Sequence, residues 1–126
     1  MENQKNRWQK IAREAAQQCG RQDIPEIRLP VPLSRLVIPL PDSALRLALL
    51  EREKAPPLKS VLKGRPREGP VVFLVGPEGG FSGGEKDLIK SQGWIPVTLG
   101  SRILRAETAG MAVLSALQYE FANGAL

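Results

Sequence analysis

Two segments of the chain contain residue types that suit ligand binding and chemistry. Residues 76–80 read Gly-Pro-Glu-Gly-Gly after an apolar run, and glycines there allow unusual backbone conformations and close approach of a ligand. Residues 99–108 read Leu-Gly-Ser-Arg-Ile-Leu-Arg-Ala-Glu-Thr, so Arg102 and Arg105 flank two aliphatic side chains that suit the wall of a pocket. The structural alternatives are a tight strand-to-helix turn for the first segment and an exposed loop with surface arginines for the second.

The rest of the residue inventory narrows the chemistry. The chain has no histidine and a single cysteine, Cys19. This composition excludes Ser/His/Asp and Cys/His triads, an internal disulfide and a multi-cysteine zinc site, and we expect no metal. Residues 76–80 also lack the Lys-Ser/Thr pair of a P-loop and the spacing of a dinucleotide-binding motif. Catalysis would therefore depend on backbone groups, arginines, carboxylates or a bound cofactor.

Length and charge indicate one domain with a polyanionic partner. The chain has 126 residues, of which 42% are hydrophobic, and this is sufficient for one core. The net charge of +5 suits RNA, although many basic proteins bind no nucleic acid. Neither a signal peptide nor a membrane span is evident, so we expect a cytoplasmic protein. The best local candidate for phosphate contact is a basic cluster in a segment rich in Pro and Gly, namely Lys54, Lys59, Lys63, Arg65 and Arg67.

Hydrophobic periodicity predicts the elements of the first half. A helix is predicted up to Gly20, because apolar residues from Trp8 to Cys19 recur on one face, where Cys19 is expected to be buried. Residues 26–31 suit a short strand between two prolines, and residues 34–38 suit a helical turn. Residues 44–51 fit either a buried strand or a helix, and we favour the strand. Residues 53–70 are predicted to be mainly loop.

The second half predicts alternating strands and helices. Residues 71–75 suit a central parallel strand covered on both faces. Ser82 and Glu85 form a capping box that opens a helix through Ser91. A strand at 95–99, a loop at 100–106 and a helix at 108–121 follow. This order predicts an α/β fold with a parallel sheet flanked by helices, and α/β folds place ligands at the carboxyl ends of their strands.

The two segments in combination resemble a known enzyme class. Gly-Pro-Glu-Gly-Gly-Phe-Ser after an apolar strand, followed by Leu-Gly-x-Arg-Ile-Leu-Arg-x-Glu-Thr-Ala, is similar to SPOUT methyltransferases, and in particular to the 16S rRNA uridine-N3 methyltransferase family. The segment from Arg7 to Arg21 is similar to the first catalytic-domain helix of that family. The resemblance covers nearly the whole chain and is strongest in 71–121 and 7–29.

The resemblance implies a fold and a cofactor. It implies that residues 1–126 form the SPOUT catalytic domain, with a deep trefoil knot near the C-terminus, and that the family's N-terminal PUA-like RNA-binding domain is absent. Three loops would clasp S-adenosylmethionine, with adenine in an apolar slot. The class usually forms homodimers through its first and last helices, and the small residues Ala109, Ala112 and Ala116 suit either that interface or packing within the chain. The implied cofactor-binding residues are Leu50, Glu51, Val75, Gly76, Pro77, Glu78, Gly79, Gly80, Leu99, Gly100, Ile103, Leu104, Ala106 and Thr108.

The implied reaction is methyl transfer to N3 of a uridine in 16S rRNA of the small ribosomal subunit. Arg105 is the candidate for stabilising the uracil anion, Arg102 for holding a phosphate or assisting Arg105, and Glu78 or Glu107 for accepting the proton or orienting Arg105. The alternatives are a SPOUT enzyme that methylates the ribose 2′-oxygen and a non-catalytic RNA-binding or assembly module that keeps the fold. The arginine-containing second segment favours the base methyltransferase.

Overall fold

The computed structural model describes residues 2–36, 40–50, 54–65, 69–100 and 104–121. The chain divides into two compact units, residues 1–37 and residues 38–126. The first unit contains one long helix and an extended segment, and the second contains a sheet with its helices. The predicted turn at 34–38 and the predicted loop at 100–106 fall partly outside the described residues.

The first unit begins with helix α1, Glu2–Gln18, which confirms the predicted helix. Its apolar face is less covered than expected, since Trp8 is 40% exposed, Ile11 is 52% exposed and Ala16 is buried. Cys19 is exposed, so the prediction of a buried cysteine was wrong. It lies in the turn that follows α1, where its thiol is 3.6 Å from the carbonyl oxygen of Ala16. Helical periodicity gives a direction to a side chain, but it does not say whether another element covers it.

The segment after α1 is held by a side chain rather than by a neighbouring strand. The Gln9 amide donates to the carbonyl oxygen of Pro25 over 2.9 Å and accepts the N–H of Ile27 over 3.0 Å. The strand predicted at 26–31 is absent, since no described strand pairs with this segment and the N–H of Ile27 bonds to the Gln9 side chain instead. A single 3-10 turn, Leu33–Arg35, stands where a helical turn was predicted.

A salt bridge closes the bend between α1 and this segment. The Arg21 guanidinium donates to both carboxylate oxygens of Asp23, over 3.3 and 3.0 Å. This hydrogen bonding holds the pKa of Asp23 below its ordinary value. Because both side chains are exposed, the pair contributes little to the free energy of unfolding.

The second unit contains a parallel sheet of three described strands in the order β2-β1-β3. These are β1, Leu45–Leu49, β2, Val71–Leu74, and β3, Ile95–Val97. Leu45 pairs with Val71 on one side of β1, and Leu49 pairs with Val97 on the other. The preference for a strand over a helix at 44–51 is thereby confirmed, as are the parallel sheet and the strands predicted at 71–75 and 95–99.

The place of β2 in the sheet differs from the prediction. Among the described strands β1 is central, with Leu47 and Ala48 fully buried, whereas all four residues of β2 are half-buried. A continuous apolar run marks a strand packed on both faces, but it does not determine the order of strands. The segment 53–70 also differs, since it contains a short helix α2, Leu58–Leu62, whose Leu58 and Leu62 enter the core.

Two further helices complete the second unit. Helix α3, Gly83–Ser91, begins at the predicted capping box, and helix α4, Ala106–Phe121, begins two residues before its predicted start. Ala109, Val113 and Leu117 of α4 are buried in the core formed with the leucines of β1 and α2. The strand–helix alternation brings the carboxyl ends of all three parallel strands to one edge, which is where the site is built. Within the described ranges, no helix is both long and apolar enough to cross a membrane.

Candidate functional site

After the end of β2 a glycine lies directly against an aromatic ring. A Cβ built on Gly76 would lie 3.1 Å from Cε2 and 3.2 Å from Cδ2 of Phe81. These distances are shorter than ordinary van der Waals contact, so the Phe81 ring packs against the bare backbone of Gly76. The loop is thereby folded back on itself, with both of its ends beside the carboxyl end of β2.

The tip of this glycine loop is a tight turn. The N–H of Gly80 donates to the carbonyl oxygen of Pro77 over 2.8 Å. Gly79 has a φ of 88°, which matches the position of a type II turn that requires glycine. The predicted turn is therefore present, and it also forms a wall of a cavity, so the structural and the ligand-binding interpretations apply to the same residues.

The exit of the loop is fixed by the first turn of α3. The N–H of Ser82 donates to Glu85 Oε1 over 2.8 Å, and the N–H of Glu85 donates to Ser82 Oγ over 3.1 Å. This reciprocal capping box satisfies two amide groups at the helix start. It also sets the direction in which α3 leaves the loop, and hence the position of Lys86 one turn into the helix.

The opposite wall is formed by the start of α4. Leu104 is half-buried and packs against the core, and Arg105 follows it with an exposed side chain. The carbonyl oxygen of Arg105 accepts the N–H of Ala109 over 2.7 Å, which begins the hydrogen bonding of the helix. The N–H groups of the first turn of a helix have no partners within it, and they carry a partial positive charge. Ala106 and Glu107 place this turn at the cavity.

Together these segments enclose a cavity of about 470 Å³ at the carboxyl ends of β1 and β2. This size falls within the usual range for sites that hold a small organic molecule or cofactor. The location is the one expected for open parallel sheets, because β2 and β3 lie on opposite sides of β1 and the crevice opens beside it. The lining residues are Leu49, Leu50, Val75, Gly76, Pro77, Glu78, Gly79, Gly80, Phe81, Lys86, Leu104, Arg105, Ala106, Glu107 and Ala109.

The cavity divides into an apolar floor and a charged mouth. Leu49, Leu50 and Val75 come from strand ends and are buried or half-buried. The charged lining residues are Glu78, Lys86, Arg105 and Glu107, and all of these except the half-buried Lys86 are exposed. The described residues contain no group of carboxylates and thiols able to hold a metal ion. Such a site can bind an amphipathic ligand and place an arginine and carboxylates beside its reactive end.

Most of the predicted site residues lie in this cavity. Its lining contains eleven of the residues predicted from sequence, namely Leu50, Val75, Gly76, Pro77, Glu78, Gly79, Gly80, Leu104, Arg105, Ala106 and Glu107. Leu99, Gly100 and Thr108 are outside the lining. Leu99 packs against the core, Gly100 has a φ of 135°, and Thr108 is exposed on α4. Glu51, Arg102 and Ile103 lie outside the described residues.

Four lining residues were not among the predicted site residues, namely Leu49, Phe81, Lys86 and Ala109. Leu49 and Phe81 each adjoin a predicted residue in sequence, so slightly wider boundaries would have included them. Ala109 directly follows the predicted Thr108 and Lys86 lies six residues beyond Gly80, and each is the fourth residue of its helix. The signal for them was helical spacing, since a side chain in the first turn of a helix points back toward the loop before it.

The fold and the site define a parallel α/β domain with a cofactor-sized cavity at its strand ends. The chain matches the family model for the RNA methyltransferase domain over residues 1–118, and it belongs to that family. Among curated proteins, it is 37% identical over 116 residues to the ribosomal RNA small subunit methyltransferase E of Synechocystis sp., covering 90% of this chain and 38% of the relative. The Bacillus subtilis protein of the same name is 29% identical, with 92% of this chain and 47% of the relative covered.

Solved structures of methyltransferases also resemble this chain in sequence and fold. The ribosomal RNA small subunit methyltransferase E of Neisseria gonorrhoeae, bound to S-adenosylmethionine, superposes with a TM-score of 0.78 at 34% identity, covering 94% of this chain and 48% of that one. A protein from Legionella pneumophila in complex with the same cofactor superposes with a TM-score of 0.82 at 37% identity, covering 94% and 47%. The chain thus spans less than half the length of these relatives.

Proposed function

We propose that the protein is an S-adenosylmethionine-dependent methyltransferase that modifies N3 of a uridine in 16S rRNA of the small ribosomal subunit. The observation that carries the proposal is the cavity between the glycine loop and the start of α4, in a chain of the RNA methyltransferase family. Two structural neighbours, in turn, are bound to S-adenosylmethionine. With this substrate, we propose that the enzyme acts in the cytoplasm.

The lining of the cavity fits this cofactor. Leu50, Val75 and Leu104 supply apolar walls for the adenine ring, while the glycine loop leaves backbone groups within reach of its edge. The loop also leaves open space at its tip, because a Cβ built on Gly79 would meet nothing within 4 Å. When bound, S-adenosylmethionine supplies an electrophilic methyl group on its sulfonium. The residues that would hold it include Glu51, Gly100, Ile103 and Thr108 as proposed contributors beyond the described lining.

The chain's own residues would prepare the uracil. N3 must lose its proton, and the chain contains no histidine to accept it. Arg105 at the cavity mouth stabilises the negative charge that develops on the uracil oxygens, and Arg102 holds a neighbouring phosphate or assists. Glu78 or Glu107, both at the mouth, receives the proton or orients Arg105. The remaining contribution is positioning, since binding in one orientation lowers the entropic part of the barrier.

We extend the proposal to the architecture of the active enzyme. A C-terminal trefoil knot would bring the loop after β3 through the region beside the glycine loop, so that both clasp the cofactor. A homodimer would cover α4, because Met111 is 64% exposed and Tyr119 is 77% exposed on the side opposite its buried residues. Ala109 packs into the core of its own chain, so the exposed side of α4, not its small-residue face, is the proposed contact.

The test is a methylation assay on small ribosomal subunits that lack the modification, with the nucleosides identified by mass spectrometry. We expect N3-methyluridine with the unaltered protein. A product methylated on the ribose 2′-oxygen would instead identify the other type of SPOUT enzyme. Calorimetry with S-adenosylmethionine provides a second readout. If no heat of binding and no thermal shift were detected, the chain would be a non-catalytic RNA-binding or assembly module.

A further inference from the structure

A basic surface lies on α2 and its flanking residues, and its function is not accounted for by the cavity. We call Lys54, Lys59, Lys63 and Arg65 the basic ridge. Residues 54–65 contain these four basic residues and no acidic residue, in a chain whose net charge is +5. All four side chains are exposed. Neither of the salt bridges formed within the described part of the chain involves them.

The exposure of the ridge follows from the packing of α2. Leu58 and Leu62 are 4% and 3% exposed, and they fix one face of this short helix to the core. Lys59 and Lys63 each follow one of these leucines by one residue, about 100° around the helix axis, and Lys63 is the residue that caps the end of α2. The Arg65 Nε donates to the carbonyl oxygen of Val61 over 3.3 Å, which holds that side chain against the end of the helix. The described contacts therefore fix Arg65 and the helix that carries the lysines, while the lysine side chains are exposed.

Backbone hydrogen bonds place the ridge at the outer side of β3. The N–H of Thr98 donates to the carbonyl oxygen of Pro56 over 3.0 Å, and the N–H of Leu58 donates to that of Thr98 over 2.8 Å. Pro57 thereby pairs with Thr98 in a parallel bridge. The chain before α2 runs parallel to β3. The basic ridge therefore lies at the edge where the carboxyl ends of the parallel strands meet.

The same hydrogen bonds give the separation between the ridge and the cavity. The carbonyl oxygen of Val97 accepts the N–H of Leu50, on the β1 side, whereas both groups of Thr98 face residues 56–58 on the other side. Leu50 lines the cavity, and Pro57 lies two strand spacings away from it, or about 10 Å. The cavity and the ridge thus lie side by side along one edge of the sheet.

We infer that the basic ridge binds phosphates of the substrate RNA beside the nucleotide that enters the cavity. The inference rests on the proposed function, because that function places an RNA strand at this edge. Exposed lysines suit phosphate contact, since they neutralise charge and release counterions without reading sequence. The ridge thereby supplies affinity and register, while the cavity supplies the chemistry.

The experiment compares two double variants with equal loss of charge. Lys59→Gln with Lys63→Gln removes two ridge cations, and Lys10→Gln with Arg13→Gln removes two exposed cations of α1. Binding to unmodified 16S rRNA is measured over a series of salt concentrations. We expect the ridge variant to bind more weakly and its plot of log affinity against log salt to become shallower by about 1.4 to 1.8, for two lost phosphate contacts. The α1 variant should match the unaltered chain.

Kinetics separate this inference from the proposed function. The ridge variant should show a raised KM for the RNA, an unchanged kcat and an unchanged heat of binding for S-adenosylmethionine. An unchanged KM and salt dependence, in a ridge variant with a normal melting temperature, would overturn the inference, as would an equal loss in both double variants. Failure of the unaltered chain to bind S-adenosylmethionine would overturn the proposed function instead. The RNA-binding comparison tests the basic ridge independently, because it requires no cofactor.

Discussion

Gly76 and Phe81 are in contact across the glycine loop, with 3.1 Å between a Cβ built on the glycine and the Cε2 atom of the ring. The contact joins the second residue after the end of β2 to the residue that precedes the Ser82 cap of α3. Both residues line the cavity. A methyl group at position 76 would therefore displace a ring that lines the proposed cofactor site.

Gly76→Ala should weaken cofactor binding because the added Cβ forces the Phe81 ring to move. We expect a destabilisation of about 1–3 kcal/mol, as for an extra methyl group in a packed site, and a larger Kd for S-adenosylmethionine by calorimetry. Gly83→Ala is the matched control, since a Cβ there meets nothing within 4 Å and the residue lies in α3. Equal cofactor affinity in the two variants would contradict this account of the loop.

Ser82→Ala should destabilise the protein by about 0.5–2 kcal/mol, because it removes the side-chain acceptor for the N–H of Glu85. Denaturant unfolding measures the loss. Glu85→Gln serves as the control, since glutamine can still accept from the N–H of Ser82 and complete a capping box. If Glu85→Gln lost as much stability as Ser82→Ala, the reciprocal hydrogen bonding would not be the source of the effect.

Arg105→Ala should lower kcat for rRNA methylation by about 10²–10³, the usual effect of removing one group that stabilises charge in a transition state. The heat of binding of S-adenosylmethionine should change little, since the exposed side chain lies at the mouth of the cavity. Arg35→Ala, at an exposed position in the other unit, is the control and should retain full activity. A normal rate for Arg105→Ala would remove this residue from the mechanism.

Gln9→Ala should release the extended segment after α1, because one side chain bonds both Pro25 and Ile27. The loss of two hydrogen bonds at a partly exposed site should cost about 1–2 kcal/mol. Hydrogen exchange at the Ile27 amide reports the change directly. Gln9→Glu keeps the acceptor for that amide and loses the donor to Pro25, so its Ile27 amide should stay protected. Loss of protection in both variants would mean that the acceptor is not what protects it.

Leu47→Ala should destabilise the protein by about 2–5 kcal/mol, because Leu47 is fully buried in the central strand. Leu114→Ala on α4 is the control, as Leu114 is 50% exposed. Its stability should change little at concentrations where the chain is monomeric. A similar loss in both variants would contradict the described core.

Local signals predicted the parts of the fold that depend on neighbouring residues. The Ser82–Glu85 box and the turn at Gly79 were both readable, because their geometry depends on a few adjacent side chains and backbone angles. The glycine loop was recognised as a possible ligand site from its residues, whereas the full set of wall residues was implied by the resemblance to SPOUT methyltransferases. The prediction for the second segment, residues 99–108, can be compared with the structure only in part, since residues 101–103 lie outside the described residues.

Three features that depend on distant partners were not predicted correctly. The sequence of β2 shows burial on both faces, yet its place beside β1 is decided by how the crossover connections run. Residues 26–31 have strand-like composition but pair with a glutamine side chain instead of a strand. Helix α2 was missed because five residues between prolines and a glycine give too short a period to detect, and its two leucines are stabilised by the core.

The pairing of Pro57 with Thr98 also affects whether the edge of the sheet can pair with another copy of the chain. The carbonyl oxygen of Pro56 and the N–H of Leu58 bond to Thr98. The backbone nitrogen and carbonyl of Pro57 itself therefore point away from β3. Proline has no N–H to donate there, and an incoming strand would find an incomplete row of partners. The lysines that follow add electrostatic repulsion between copies. The outer margin of this sheet is thereby protected against fibrous self-association.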